Sequence, residues 1–395
     1  MALREDALRF HRENRGKIEV RSKVPLQNVS DLSLAYTPGV AEPCQEIYSD
    51  PDRVYEYTNK GNTVAVVSNG TAVLGLGDIG PWAALPVMEG KAILFKAFAG
   101  IDAFPICLAT TDAKKIVETV VFLEPAFGAI NLEDIAAPAC FEIEERLQDR
   151  LSIPVFHDDQ HGTAIVTLAA LLNAVKVVGK RLQDVIVVVN GAGAAGIAIG
   201  KMCCEVGVGD LIPCDRHGII YRGRARGMNF AKEELARIAN GEGRRGTLAD
   251  ALSGADVFVG VSGPRLLTGD MIQAMNRDPI VFALANPIPE IDPREALAAG
   301  AVVVGTGRSD YPNQINNILA FPGVLRGALN VRASCISPAM KLAAAHALAG
   351  LVPPEELTAQ YVVPRVFTRQ VAHRVAAAVA QGAMKDGVAR INPTT

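Results

Sequence analysis

Asp184–Gly196 reads D-V-I-V-V-V-N-G-A-G-A-A-G, and this stretch decides the fold. An unbroken apolar run from Val185 to Val189 suits a strand covered on both faces, as in a parallel sheet. Gly191, Ala192, Gly193, Ala194, Ala195 and Gly196 then spell G-x-G-x-x-G between that strand and a helical pattern. In that setting the glycines allow a tight turn and close backbone approach, and the helix N-terminus attracts a pyrophosphate. The next apolar run, Leu211–Cys214, ends at Asp215, the distance expected of an acid that bonds the adenosine ribose. A carboxylate there repels a 2′-phosphate. The cofactor expected is therefore NAD(P)+, with NAD+ mildly favoured because Arg216, Arg222 and Arg224 can offset the repulsion.

The alternation continues downstream. Ala255–Val261 is a predicted strand entering Ser262, Pro279–Ala285 one ending at Asn286, and Ala301–Gly305 one ending at Thr306. Helical stretches lie between them, which makes a doubly wound sheet. Ser262 and Asn286 stand at strand ends over the cofactor edge. Asn286 and the pair Asn316-Asn317, which precedes a turn at Phe321-Pro322-Gly323, are also candidate donors to a substrate carboxylate, although any one of these amides alone is explained as a cap. Residues 338–387 read as Ala-rich helices that fold back over the first domain or make a subunit contact.

Upstream, Pro154–Ala164 reads P-V-F-H-D-D-Q-H-G-T-A. Two adjacent carboxylates, Asp158 and Asp159, at the end of a buried strand repel each other and need a cationic partner. Gly128–Leu132 is a second strand with the same ending, Glu133-Asp134. Strand ends of an open parallel sheet share one edge, where ligands bind. Oxygen donors without cysteine favour Mg²⁺ or Mn²⁺ over zinc. The H-x-x-x-H spacing of His157 and His161 argues little for zinc, because a strand-to-helix corner separates the rings. Two further strands are expected at Thr63–Ser68 and Val73–Leu76, then a helix from Pro81 towards Gly100, a strand at Ala103–Leu108 and a helix capped by Asp112. Lys91 sits in the apolar Pro81 helix, where desolvation lowers the pKa of an ammonium and makes it a candidate base, or where it simply snorkels to water. Tyr36 lies in the rigid turn Ser33–Ala41 and alone reads as a packing tyrosine.

The 395 residues are 49% apolar and 21% charged, with a net charge of −3, and no basic stripe points to nucleic acid. No run approaches the roughly 18 apolar residues of a membrane span. The start, M-A-L-R-E-D-A-L-R-F-H, lacks a signal-peptide core. Seven cysteines with no C-x-x-C pair read as free thiols in a reducing cytosol, so a cytoplasmic protein is expected.

Ser33–Ala41, Gly75–Gly80, Gly90–Asp102, Asn131–Asp134, Pro154–Ala164, Gly191–Gly196 and Asn316–Gly323 together resemble malic enzyme in its short bacterial form. The resemblance implies oxidative decarboxylation of (S)-malate to pyruvate and CO₂ with NAD(P)+ and Mg²⁺ or Mn²⁺. By position it makes Glu133, Asp134 and Asp159 the metal ligands, Lys91 the general base and Tyr36 the general acid. Asp158 becomes the acid beside the lysine, and Asn286 and Asn317 become substrate contacts. It also implies a homodimer. The fold expected is α/β: an N-terminal α/β/α metal and catalytic domain over 1–160, then a Rossmann-type NAD(P)-binding domain over 161–395 with the Ala-rich helices at its end. Larger malic enzymes carry an arginine where this chain has Ala72-Val73, which leaves Thr71 as a candidate grip on the distal carboxylate. The rival readings are a metal- and NAD-dependent dehydrogenase of another 2-hydroxy acid such as tartrate, a non-oxidative decarboxylase that makes lactate, and a cofactor-sensing protein with a dead site.

Overall fold

Four short strands dominate the first half: β1 (Thr63–Ser68), β2 (Asp102–Cys107), β3 (Ala129–Leu132) and β4 (Val155–His157). In the computed structural model, which describes residues 2–73 and 75–392, they form one sheet in the order β2-β1-β3-β4. Every pairing is parallel. All four strands therefore end at the same edge. Leu132 is in register with His157, so the two acidic pairs that follow them are neighbours, as their shared position at strand ends suggested.

The second sheet contains β5 (Ile186–Asn190), β6 (Asp210–Asp215), β7 (Gly218–Ile219), β8 (Val257–Gly260), β9 (Ile280–Ala283) and β10 (Val303–Thr306). Its order is β10-β9-β8-β5-β6-β7, parallel except for the short β7 against β6. The chain leaves β5 towards β6 and later returns to β5's other side with β8. That reversal of direction opens a crevice beside Gly191, the place where such sheets bind ligands.

One expectation needs correcting, and one short strand was not foreseen. No strand forms at Val73–Leu76. Val73 and Gly77 pair only with each other across a tight turn, because Gly75, Gly77 and Gly80 all hold positive φ (73°, 75° and 74°) and curl the chain (Leu74 lies outside the described residues). The two-residue β7 carries too little apolar sequence to be seen in advance.

A single apolar core joins the two halves. Val64 and Val66 of the first sheet share it with Leu168, Val187 and Val375. Helix Thr163–Val177 runs through its middle, buried along most of its length. The C-terminal helices fold back within the chain. Phe321 meets Phe95 of helix Gly80–Ala99 edge to face at 4.8 Å. Gly323 and Gly327 let helix Val371–Lys385 approach helix Phe321–Asn330, since a Cβ on either would come within 2.6 Å of Val375 or Ala376. Among the described residues no helix is long and apolar enough to cross a membrane.

The N-terminal arm contrasts with this. None of residues 3–59 is buried, yet the arm exposes Leu3, Val20, Leu26, Val29, Leu34 and Tyr48 at 63–92%.

Candidate active site

The edge where β3 and β4 end is crowded with charge. Lys91 reaches it from helix Gly80–Ala99, its Nζ 2.5 Å from Asp158 Oδ2 and 2.8 Å from Glu133 Oε1. The ammonium also lies 4.1 Å from the centre of the Phe321 ring. Asn317 Nδ2 donates to Asp158 Oδ2 at 2.6 Å, and Asn131 Nδ2 to Glu133 Oε2 at 2.8 Å. Asp134 stands at φ 53°, and its backbone N–H donates to Asp159 Oδ2 at 2.8 Å. Burial alone would lower the lysine's pKa, as its apolar setting suggested. The facing Asp158 and Glu133 carboxylates outweigh burial and push it above the ordinary range.

Asp158 and Asp159 open a π-helical turn, Asp158–Gly162, closed by Thr163 N donating to Asp158 O. Gly162 is required there. A Cβ at that position would lie 1.8 Å from Asp158 Oδ1, so any side chain evicts the carboxylate that Lys91 and Asn317 hold.

These residues fit a divalent cation. Glu133, Asp134 and Asp159 each place an oxygen within 4.8 Å of the others. Among the described residues, Asp134 Oδ2 is buried without a hydrogen-bond partner. Burial, reinforced by neighbouring carboxylates, pushes Asp134 up to about 9, Glu133 to about 7 and Asp159 to about 6. Oxygen-only donors in surplus negative charge suit Mg²⁺ or Mn²⁺. His157 and His161 do not share a site: His157 is fully buried, its ring nitrogens without a hydrogen bond among the described residues, while His161 faces Glu144.

At the second sheet the three glycines have three duties. A Cβ on Gly191 would strike Val261 O at 2.6 Å, and one on Gly196 would strike Gly191 O at 1.6 Å. Gly193 has nothing within 4 Å, which leaves its face open to a ligand at the N-terminus of helix Ala194–Glu205. Ala192, Ala194 and Ala195 complete this loop and first turn. Ser262 abuts Gly191, and its hydroxyl accepts from Asn190 Nδ2 at 3.0 Å. Glu290, which the sequence reading passed over, fastens both neighbouring strand ends by accepting from Ser262 N (3.1 Å) and Ala285 N (3.0 Å). Asp215 ends β6 as expected, but its carboxylate is occupied: Arg224 grips both oxygens at 2.9 and 2.5 Å, and Lys232 Nζ adds a bond at 2.7 Å.

Both halves of this arrangement match one family. A profile described as "Malic enzyme, N-terminal domain" matches residues 15–116, and "Malic enzyme, NAD binding domain" matches residues 160–384. The chain belongs to the malic enzyme family. It is 61% identical to the bifunctional malic/malolactic enzyme of Bacillus subtilis, over 99% of this chain and 95% of that one. It is 50% identical to the NADP-dependent malic enzyme of Escherichia coli over 98% of its own length, and spans 53% of that longer protein. The crystal structure of the NAD-dependent malic enzyme of Thermotoga maritima superposes with a TM-score of 0.92 at 51% identity, over 95% of this chain and 98% of that one. The α/β fold and NAD(P) dependence read from the sequence are those of malic enzymes.

Among the malic-enzyme positions, Lys91, Glu133, Asp134, Asp158, Asp159 and Asn317 are brought together. Asn286 sits on the opposing loop, its carbonyl and Pro287 packed on Gly75, where a Cβ would lie 2.7 Å from the proline ring. Thr71 is already committed, donating to Asn69 Oδ1 and accepting from Ala136 N, so its hydroxyl is not free to grip a carboxylate. Tyr36 is 67% exposed on the unburied arm, and among the described residues no hydrogen bond joins its hydroxyl to the cluster. Phe321 was visible in the sequence only within the Asn316–Gly323 motif, because its place under Lys91 depends on the chain folding back.

Proposed function

We propose that this malic enzyme converts (S)-malate to pyruvate and CO₂ while reducing NAD+ or NADP+, at the acidic edge of the first sheet. The observation that carries the reading is the Lys91–Asp158 contact at 2.5 Å beside the Glu133, Asp134 and Asp159 oxygens. Those three carboxylates hold a divalent cation, which when bound acts as a Lewis acid towards the C2 oxygen and adjoining carboxylate of malate. Lys91 takes the C2 hydroxyl proton as hydride leaves C2 for the nicotinamide. It can do so only when neutral. Asp158, pushed up to about 7 chiefly by burial, is placed to receive the lysine's proton. Commitment of Glu133 to a cation weakens its hold on the ammonium in the same direction. Once CO₂ has left, Tyr36 protonates C3. The second N–H of the Asn317 amide and the Asn286 side chain orient the substrate. Gly191–Gly196, Ser262 and the Asp215 cluster hold the dinucleotide.

Tyr36 fits this role if a second copy of the chain supplies it. An arm that buries none of its own residues suits a homodimer in which each arm lies over the other subunit's edge. Seven free cysteines suit a cytoplasmic location. Mixing Tyr36→Phe with Lys91→Ala tests the arm: the mixed dimer rebuilds one intact site only if Tyr36 crosses between subunits. Random assortment then restores roughly a quarter of wild-type rate, and no restoration places Tyr36 in its own subunit's site.

Reduced cofactor and pyruvate forming in equal amounts from (S)-malate and Mn²⁺ is the expected result of the first assay. Reduced cofactor without pyruvate would instead indicate a plain dehydrogenase. The name of the Bacillus subtilis relative favours a second product as well. Lactate formed without net cofactor reduction would establish a malolactic activity at the same site.

A further inference from the structure

The residues after Asp159 turn away from the acidic edge and end on another carboxylate. Gln160 Nε2 donates to Glu144 Oε2 at 2.9 Å, and His161 Nε2 lies 2.8 Å from Glu144 Oε1, with Gln148 Nε2 at 3.3 Å from the same oxygen. Glu144 is 6% exposed, on helix Ala139–Gln148. Across the imidazole, Lys341 Nζ lies 3.3 Å from His161 Nδ1. An ammonium is a donor only, so Nδ1 accepts and Nε2 carries the ring's proton. The chain Lys341 to His161 to Glu144, with Gln160 donating from the other side, therefore has one consistent direction. It ties the π-helical turn to helices Ala139–Gln148 and Pro338–Ala349. A cavity of about 400 Å³ opens beside His161 and Lys341, lined also by Met202 and Phe230.

The turn needs an anchor on this side. Lys91, Asn317 and the Asp134 N–H hold Asp158 and Asp159 at the edge, and the repulsion of these adjacent acids from each other and from Glu133 and Asp134, when ionised, works against that hold. π geometry is itself uncommon and tends to occur at functional sites. We propose that Glu144 is a positioning residue: by holding Gln160 and His161 on its two oxygens, it fixes the turn at which Asp159 meets Glu133 and Asp134. The cation affinity of the trio then depends on a residue that does not touch the cation. This inference rests on the reading of the trio as metal ligands.

Glu144→Gln keeps the shape and replaces one acceptor with an amide NH₂. The remaining oxygen can serve His161 or Gln160, but the NH₂ then confronts a second donor. Titration of the folded variant with Mn²⁺, following free Mn²⁺ by its paramagnetic resonance, is expected to show binding weakened about 10-fold or more, as for lost outer-shell partners. NAD+ affinity stays unchanged. Adding Lys341→Met releases Nδ1, which can take the ring proton and donate it to water in the cavity. Nε2 then accepts from the new amide, and the double variant regains Mn²⁺ affinity to within about 3-fold of wild type. Gln160→Met removes one strut and leaves the Glu144–His161 bond, with a loss of about 3-fold expected, and it serves if Glu144→Gln does not fold. Asp159→Ala is the control. Wild-type affinity in Glu144→Gln alongside lost binding in Asp159→Ala overturns the inference, as does an equal loss in the single and double variants. Undiminished binding in Asp159→Ala overturns the ligand reading itself.

Discussion

Two charged clusters end strands in this molecule, and their balance is opposite. Where β3 and β4 end, four acids, Glu133, Asp134, Asp158 and Asp159, face the single ammonium of Lys91. Where β6 ends, Asp215 faces Arg224 and Lys232, an excess of one positive charge. Burial raises carboxylates at both places. At the first it wins, and Asp134 rises to about 9. At the second the hydrogen bonds from Arg224 and Lys232 outweigh it, and Asp215 falls to about 2. A buried surplus of one sign is relieved by protonation, as at Asp134, or by a ligand of the other sign. That makes the first cluster suited to a cation and the second to an anion.

The largest expected effect comes from removing the one cation of the acidic cluster. Lys91→Ala should cut kcat by roughly 10²–10⁴, the span of a lost general base, while NAD+ affinity stays the same. Rates near wild type would assign the proton to another group. Gly162→Ala attacks the same contact from the backbone. Its Cβ would take the place of Asp158 Oδ1, so the Lys91–Asp158 pair must separate, and a fall in kcat of about 10² or more is expected with little change in cofactor binding. A fully active Gly162→Ala enzyme would mean that Asp158 does not need its present position.

The acidic cluster was far more legible in the sequence than the basic one. Glu133-Asp134 and Asp158-Asp159 announce themselves because paired acids after apolar runs have few explanations, and parallel strands must deliver them to one edge. Asp215 was equally visible by its distance from Gly191–Gly196. Of its partners, Arg224 was named only as one of three arginines able to offset the acid, and Lys232 was not named at all. Lys232 comes from helix Phe230–Ile238, which folds back on β6, and no local pattern marks such an encounter. The raised pKa of Lys91 escaped for the same reason: the apolar neighbours are written around it in sequence, whereas its carboxylate partners are distant in the chain. Glu144 lay in an ordinary amphipathic helix. Tyr36 could be named by resemblance, yet a single chain does not bring it to the acids, so its place has to be argued from the unburied arm.

A smaller effect tests the basic cluster. Asp215 alone argues for NAD+, but with its charge more than offset a 2′-phosphate meets net positive charge. Lys232→Gln leaves the bidentate Arg224–Asp215 pair in place and returns the cluster to neutrality. We expect NADP+ to bind about 10-fold more weakly in this variant, the scale of one charge-assisted contact, with NAD+ binding unchanged. Equal weakening of both cofactors would show that Lys232 supports the fold rather than the phosphate.

The smallest effect is on stability, and there the clusters should give pH slopes of opposite sign. Asp134, Glu133 and Asp158 have folded pKa values raised to about 9, 7 and 7 from ordinary values of 3.8, 4.5 and 3.8. Between the ordinary and the raised values the folded protein binds more protons than the unfolded chain, so stability falls as pH rises. For Asp215, lowered from 3.8 to about 2, the unfolded chain binds more protons in that interval. Its stabilisation is present above about pH 4 and is lost as acid is added. Buried His157, lowered from 6.5 to about 4, opposes the carboxylates only below its ordinary value. The window free of the histidine is therefore pH 6.5–9, above its titration and spanned by that of Asp134. Metal-free protein should lose a few degrees of Tm across it, and saturating Mn²⁺, by stabilising the ionised carboxylates, should flatten the slope. Asp134→Asn should flatten it without metal, while Arg224→Gln should leave it as in wild type. A metal-free Tm that is level or rising over this window would mean that the four carboxylates are not held against one another as the sheet edge places them, and the contrast between the two clusters would fail at its electrostatic root.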